Sequence, residues 1–544
     1  MSSPSSPTEA FDRLVADHCR AWFAFHPEEA VEVGAEGFAH LLPPYGDEDR
    51  KALLSLLDRL MADLEAFPAG ELDPDRALDL EVLLGAAAVE RAELLARDWR
   101  LEDPMAFLPV HAIYQLFVRP VEDFAAALRG RLSAIPSHLG GAKGYLGRAP
   151  ERIPPLWLEA AVMEAGHGAA YLKSLRGEVP GMEGLFAEAA RALEDFGGFL
   201  EGLAPRASGE VSWGRDLFQR RLKELHALDI APESLKALGE QLFRETLRDL
   251  KDETRRLRGD EDIVAMAEEL RSHHPSREGL LPAYRSAMEK AKAFVAEKGL
   301  VSLPLRESLE VVETPAFLRP QIPFAAYLEP SPRDPEQKGR YYVTPPESEE
   351  ALGEHHYPGI YQTSVHEAWP GHHLQFVTAH TRRASSTLPR LLHPSATLYE
   401  GWALYCEAMM LEEGFALLPE QRFVMLRDRL WRALRILIDV GLHVEGMGAE
   451  AAIDRLVGVM GFPRPQAQGE ITWYSRAPTV PMGYATGFAL ISALKDRLRA
   501  ESPAFSLRAF HDQLLASGSI ALPRVIRRQF GEERWRTVKG MVFA

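Results

Sequence analysis

The stretch HEAWPGHH, residues 366–373, brings together side chains that metal-assisted hydrolysis requires. Imidazoles supply neutral ligands, a nearby carboxylate takes the proton of a water, and an open coordination position admits the substrate. The usual helical form is H-E-x-x-H, because residues i and i+4 share a face. Here His366 and His372 are six apart, which at about 100° per residue puts them on roughly opposite faces of a regular helix. His373 returns to the face of His366 but lies about 10 Å along the axis. Pro370 cannot donate the helical bond to the carbonyl of His366, and Gly371 tolerates unusual dihedrals, so together they permit a bulge. An insertion of two residues carries His372 to the place an i+4 histidine normally takes, and His372 is preferred to His373 because it needs the smaller bulge.

A third ligand belongs on a second helix, and Glu400 in TLYEGWALYCEAMM is the candidate. Gly401 beside it allows backbones to approach closely. Glu407, two turns further on the same face, is placed to orient a ligand from behind. Glu367, adjacent to His366, is the natural general base. Plainer readings compete with each of these. Ser364 and Glu367 fit a capping box, Pro370 fits the first turn of a new helix with His372 and His373 on its surface, and Glu400 alone fits a solvated or paired carboxylate.

These residues need helices to hold them. From Thr8 to about Glu297 apolar residues recur at helical spacing, with stripes at Phe11, Leu14, Val15 and His18 to Trp22, and at Leu53, Leu56, Leu57 and Leu60. Loop signals rich in Pro or Gly separate these segments, and no fixed-period repeat is present. Between Leu300 and Thr344 the pattern changes to β-branched and aromatic residues among turns, as in SLEVVET and GRYYVTPPE, which predicts a few short strands. Helices resume at about Gln362 to Arg383, Ser395 to Glu413 and Glu420 to Glu445. The expectation is a mostly α protein with a small sheet, divided into a helical lobe over 1–300 and a metal-binding lobe over 301–544.

With 544 residues, 46% of them hydrophobic, the chain can bury a large core. The formal charge of −17 repels a phosphate backbone, so nucleic acid is not an expected partner. Cys19 and Cys406 have no pairing or metal-knuckle spacing, which fits a reducing compartment. MSSPSSPTEAFDRL lacks both a basic start and an apolar stretch, and no apolar run approaches the ~20 residues that span a bilayer, so a cytoplasmic protein without membrane segments is expected. Asparagine is absent, a bias compatible with a thermophilic source or with high-GC coding, and one that leaves no N-glycosylation site.

The segments VHEAWPGHHLQ and YEGWALYCE resemble the paired signature of a bacterial family, domain of unknown function 885, whose members carry H-E-x-x-P-G-H-H and then E-G-W-A. The resemblance extends along most of the chain, through AWFAFHPEEAVEVG, DVGLHVEGM and PTVPMGYATG. It implies a likeness to the gluzincin-type zinc metallopeptidases, a two-lobed helical fold with a deep central cleft, one Zn2+ or another divalent ion, and His366, His372 and Glu400 as its ligands. One segment departs from the pattern. Where relatives show R-Y and then P-G-Q, this chain has Trp473-Tyr474 and Pro478-Thr479-Val480, a change that bears on substrate specificity.

The resemblance also points to supporting groups. Tyr484, in GYATG, is the candidate donor to a developing oxyanion. A tyrosine packed near a helix start is the plainer reading. His443 lies four residues after Asp439, so the carboxylate can fix its tautomer, and the pair matches a D-x-G-x-H element. Against a catalytic role, a histidine on an apolar helix is more often a satisfied core residue. His355 and His356 are expected in a loop; Tyr341 and Tyr342 border the cleft if GRYYV is an edge strand able to pair with an extended peptide, whereas core packing is the stronger expectation for at least one of them. The expected activity is hydrolysis of a short peptide, with Glu367 as base. The rivals are a zinc amidase or esterase on another small substrate, and a silent helical binding protein with a structural metal.

Overall fold

The computed structural model describes residues 6–544; the opening residues 1–5, part of the segment read above for a leader, lie outside them. The protein is mostly helical, with one small three-stranded sheet. It divides into two compact units, one running to Ser212 and including Ser331–Arg333, the other comprising Trp213–Pro330 and Asp334–Ala544. This division falls well ahead of residue 300, where the change of sequence pattern placed a seam. No helix among the described residues is long and apolar enough to cross a membrane.

The first unit begins with the helix Pro7–Trp22, capped where Ser6 and Glu9 exchange side-chain to backbone hydrogen bonds. Its buried stripe is Phe11, Val15 and Trp22, and the helix Asp47–Glu65 buries Leu53, Leu56, Leu57 and Leu60. Helices Pro155–Ser174 and Glu183–Leu203 pack along one another deeper in the same unit.

In the second unit the helix Pro232–Arg258 lies along Gln421–Val444. The approach is close: a Cβ on Gly239 would stand 2.8 Å from Cγ2 of Ile436. The sheet has β1 (Ser308–Glu313), β2 (Ala325–Leu328) and β3 (Lys338–Val343) in the order β1-β3-β2. Strand β3 runs parallel to β1 and antiparallel to β2, which places Val311 and Tyr327 on either side of Tyr341. Tyr341 and Tyr342 therefore sit on the central strand and are buried, which corrects the edge-strand expectation. The sheet joins Leu280, Tyr284, Val311, Tyr341 and Ile360 in one core cluster under the helix that carries His366.

Candidate metal centre

The helix Tyr357–Glu367 ends with His366 and Glu367, and a new helix, His372–Thr381, starts with His372. The expected bulge is here a full break. The Trp369–Pro370 peptide is cis, and the backbone N–H of Gly371 donates to the carbonyl of Val365 at 3.0 Å. A Cβ on Gly371 would lie 1.8 Å from the carbonyl oxygen of His366, so only glycine fits. Trp402 ties the break to the next helix, its Nε1 donating to the carbonyl of Pro370 at 2.8 Å.

That next helix, Ala396–Glu412, brings in Glu400. It packs on Gly483–Glu501 through glycines, the Cα of Gly487 lying only 2.5 Å from where a Cβ on Gly401 would be. One ligand atom from each of His366, His372 and Glu400 lies within 4.8 Å of the others. Oε2 of Glu400 is 3.4 Å from Nε2 of His366 and 3.3 Å from Nε2 of His372. Zinc bonds of about 2.0–2.1 Å at tetrahedral angles put neighbouring ligand atoms about 3.3–3.4 Å apart. Oε2 of Glu400 and Nδ1 of His372 are buried and make no hydrogen bond. A shielded carboxylate oxygen facing two imidazole nitrogens without hydrogen bonding to either suits a cation held among the three groups.

Behind the site, Oε1 of Glu407 is 2.6 Å from Nδ1 of His366, and Nε2 of Gln362 donates to its other oxygen at 2.9 Å. Glu407 thereby directs Nε2 of His366 toward Glu400. Burial works against a charge on His366, but Glu400 and Glu407 on its two sides outweigh that and push its pKa up to about 10. Burial likewise pushes Glu400 up, yet the imidazoles of His372 and His366 hold it well below the usual carboxylate range. The pocket thus favours a positive charge at its centre, whether proton or metal.

His373 turns away. Its Nε2 lies 2.7 Å from Oε2 of Glu307 and its Nδ1 3.1 Å from the hydroxyl of Tyr327, so both ring nitrogens are engaged. The Tyr327 ring in turn stacks on His372, centroids 6.2 Å apart.

Glu367 is partly buried, and burial raises its pKa against the lowering pull of His366 and His372. The Tyr484 ring stacks on His366 with centroids 6.3 Å apart and planes 14° apart. Burial and Glu400 keep its phenol protonated well above its usual value, with Arg435 opposing. His443 is engaged elsewhere: Nδ1 accepts the N–H of Trp213 at 3.3 Å and Nε2 lies 3.3 Å from the carbonyl of Tyr474. Asp439 does not hold that ring by a hydrogen bond. Its two oxygens accept the N–H groups of Thr479 and Met482 at 3.2 and 3.3 Å, in the turn leading into the helix of Tyr484. Thr479 adopts a φ of +68° in this turn. His355 and His356 are buried, the first bonded to the hydroxyl of Tyr284 at 2.9 Å and the second accepting the N–H of Gly359 as a helix cap.

Sequence reasoning missed Gln362, Trp402, Glu307 and two arginines, Arg432 and Arg435. The arginines left a trace, since both interrupt the apolar face of LWRALRILI. Glu307 lies in a loop without periodicity and gave none.

The family described as "Bacterial protein of unknown function (DUF885)" matches residues 27–529. Two solved structures resemble the chain over nearly its whole length. One is a putative lipoprotein of unknown function from Shewanella oneidensis, 20% identical, with 97% of this chain and 100% of that one covered at a TM-score of 0.77. The other is a putative lipoprotein from Colwellia psychrerythraea, 18% identical, with 99% of each chain covered at a TM-score of 0.80. No curated protein matches.

Proposed function

The chain belongs to the DUF885 family, and from that premise we propose that it is a zinc-dependent hydrolase of short peptides, with a gluzincin-like arrangement of ligands. The observation that carries this reading is the buried oxygen of Glu400, without a hydrogen bond, facing His366 and His372 at tetrahedral ligand spacing. A divalent ion held by these three groups would supply Lewis acidity, making water a nucleophile at neutral pH and polarising the scissile carbonyl.

The chain's own residues do the rest. Glu367, whose pKa burial raises, takes a proton from the attacking water and passes it to the leaving amine. The amide C–N bond breaks as the new C–O bond is completed, giving a carboxylate and an amine. Tyr484, kept protonated, donates to the developing oxyanion. Glu407 fixes the tautomer of His366, and Asp439 positions the turn that presents Tyr484. We leave His443 out of the catalytic set, because both of its ring nitrogens are engaged by main-chain groups.

The test is Glu367→Gln. Zinc content should be unchanged while peptide turnover falls by about 10²–10⁴-fold. Full turnover in the variant would remove Glu367 from the mechanism.

A further inference from the structure

Two arginines beside the candidate metal centre carry buried donors that make no hydrogen bond among the described residues. Both lie on the helix Gln421–Val444 and face Tyr484, with Cζ of Arg435 4.5 Å and Cζ of Arg432 5.9 Å from the centre of its ring. That ring is the one stacked on His366. Arg435 is 4% exposed. Its Nε and Nη2 donate to the hydroxyl of Tyr474 and to Glu470, at 2.8 and 3.0 Å, while its Nη1 is buried without a hydrogen-bond partner. On Arg432 both Nε and Nη1 are buried without one. Asp428, one turn back on the same helix, pairs with Arg432 through an oxygen 3.5 Å from Nη1 without forming a hydrogen bond.

A buried cationic donor without an acceptor is costly, so this arrangement makes sense when a ligand supplies the acceptor. Trp431 fixes the orientation, its ring centre 4.2 Å from Cζ of Arg432. A guanidinium stacked in this way keeps its in-plane N–H groups free for a planar, two-oxygen acceptor. Trp431, Arg432 and Trp473 all retain partial exposure, so a ligand can reach them. The charge of the ligand is bounded as well. Glu470 is already paired with Arg435, Glu367 and Glu400 are close by, and the chain carries −17, conditions that favour a single carboxylate over a phosphate.

We propose that Arg432, supported by Arg435, binds the free terminal carboxylate of the substrate. This rests on the hydrolase reading and narrows it: the substrate class becomes short peptides or N-acyl amino acids cut close to their carboxyl end. The side chain of the terminal residue would lie against Trp431 and Trp473.

The test compares N-acetyl-Ala-Ala with its carboxyl-terminal amide, titrated into the zinc-loaded Glu367→Gln protein. The free acid should bind at least tenfold more tightly than the amide. Arg432→Gln in the same background should bring the acid down to the level of the amide, leaving binding of the amide and zinc stoichiometry unchanged. Arg432→Lys, which keeps the charge but not the planar fork, should retain part of the preference, and it serves if the glutamine variant fails to fold. Equal binding of acid and amide, binding of neither, or a preference that survives both substitutions would overturn the assignment. The hydrolase reading fails separately. If the wild-type zinc protein cleaves acid and amide equally well, hydrolysis stands and the carboxylate site falls; if it cleaves no peptide, the hydrolase reading falls.

Discussion

Two clusters in the second unit each combine histidine with carboxylate on helices, and they end in opposite states. Around His366, His372 and Glu400, the carboxylate oxygen that faces both imidazoles is buried with no hydrogen bond, and one ligand atom from each residue lies within 4.8 Å of the others. Around His443 and Asp439, both ring nitrogens and both carboxylate oxygens meet main-chain groups at 3.2–3.3 Å. The ingredients are alike, and what differs is whether lone pairs remain. A buried polar group left over calls for a ligand; one that is satisfied is part of the scaffold.

Substitutions should separate the two clusters. The largest effect falls on the first. Glu407→Gln keeps the shape but weakens the acceptor that orients His366, and zinc affinity should drop by about 10–100-fold, as read by competition with a chelator. Affinity equal to wild type would mean that Glu407 does not support the ligand. Asp439→Asn belongs to the second cluster and should act on stability and on the turn that presents Tyr484, not on the metal. Loss of a carboxylate that accepts two buried N–H groups should cost about 1–3 kcal/mol, measured by urea unfolding, with zinc affinity unchanged. A drop in zinc affinity as large as that of Glu407→Gln would erase the distinction between the clusters.

The smallest effect is spread over scaffold histidines. Burial lowers His226 and His356 to about 3, and His355 and His511 to about 4. A folded-state pKa below the unfolded value of about 6.5 contributes stability that is present above pH 6.5 and lost as pH falls toward the folded value. The apoprotein should therefore lose stability between about pH 6.5 and 4, with a shallower slope when His226 is replaced by Gln. An unchanged slope would show that His226 is not buried as a neutral ring.

Much of this was legible in the chain. H-E and P-G in one short segment pointed to a distorted helix and to His372, because spacing along a helix is a local property, whereas Glu400 stood out through the resemblance carried by E-G-W-A. The extent of the break was not legible. It depends on Trp402 binding the carbonyl of Pro370 from another helix, a contact between distant segments. The central position of β3 and the burial of Tyr341 were hidden for the same reason, since strand order is set by pairing partners. The division at Ser212 was equally hidden: the helix Pro232–Arg258 reads like its predecessors, and only its packing on Gln421–Val444 assigns it to the second unit. His443 shows the converse. Its spacing from Asp439 suggested a dyad, whereas the carboxylate caps a turn.

Neighbouring histidines give the most direct test. Zinc binding should be measured by calorimetry for the wild type, His372→Ala and His373→Gln. One ion per chain is expected for the wild type and for His373→Gln, whose ring is held by Glu307 and Tyr327 away from the centre, and no tight binding is expected for His372→Ala. Tight binding that survives in His372→Ala and disappears in His373→Gln would contradict the convergence of His366, His372 and Glu400 on one cation.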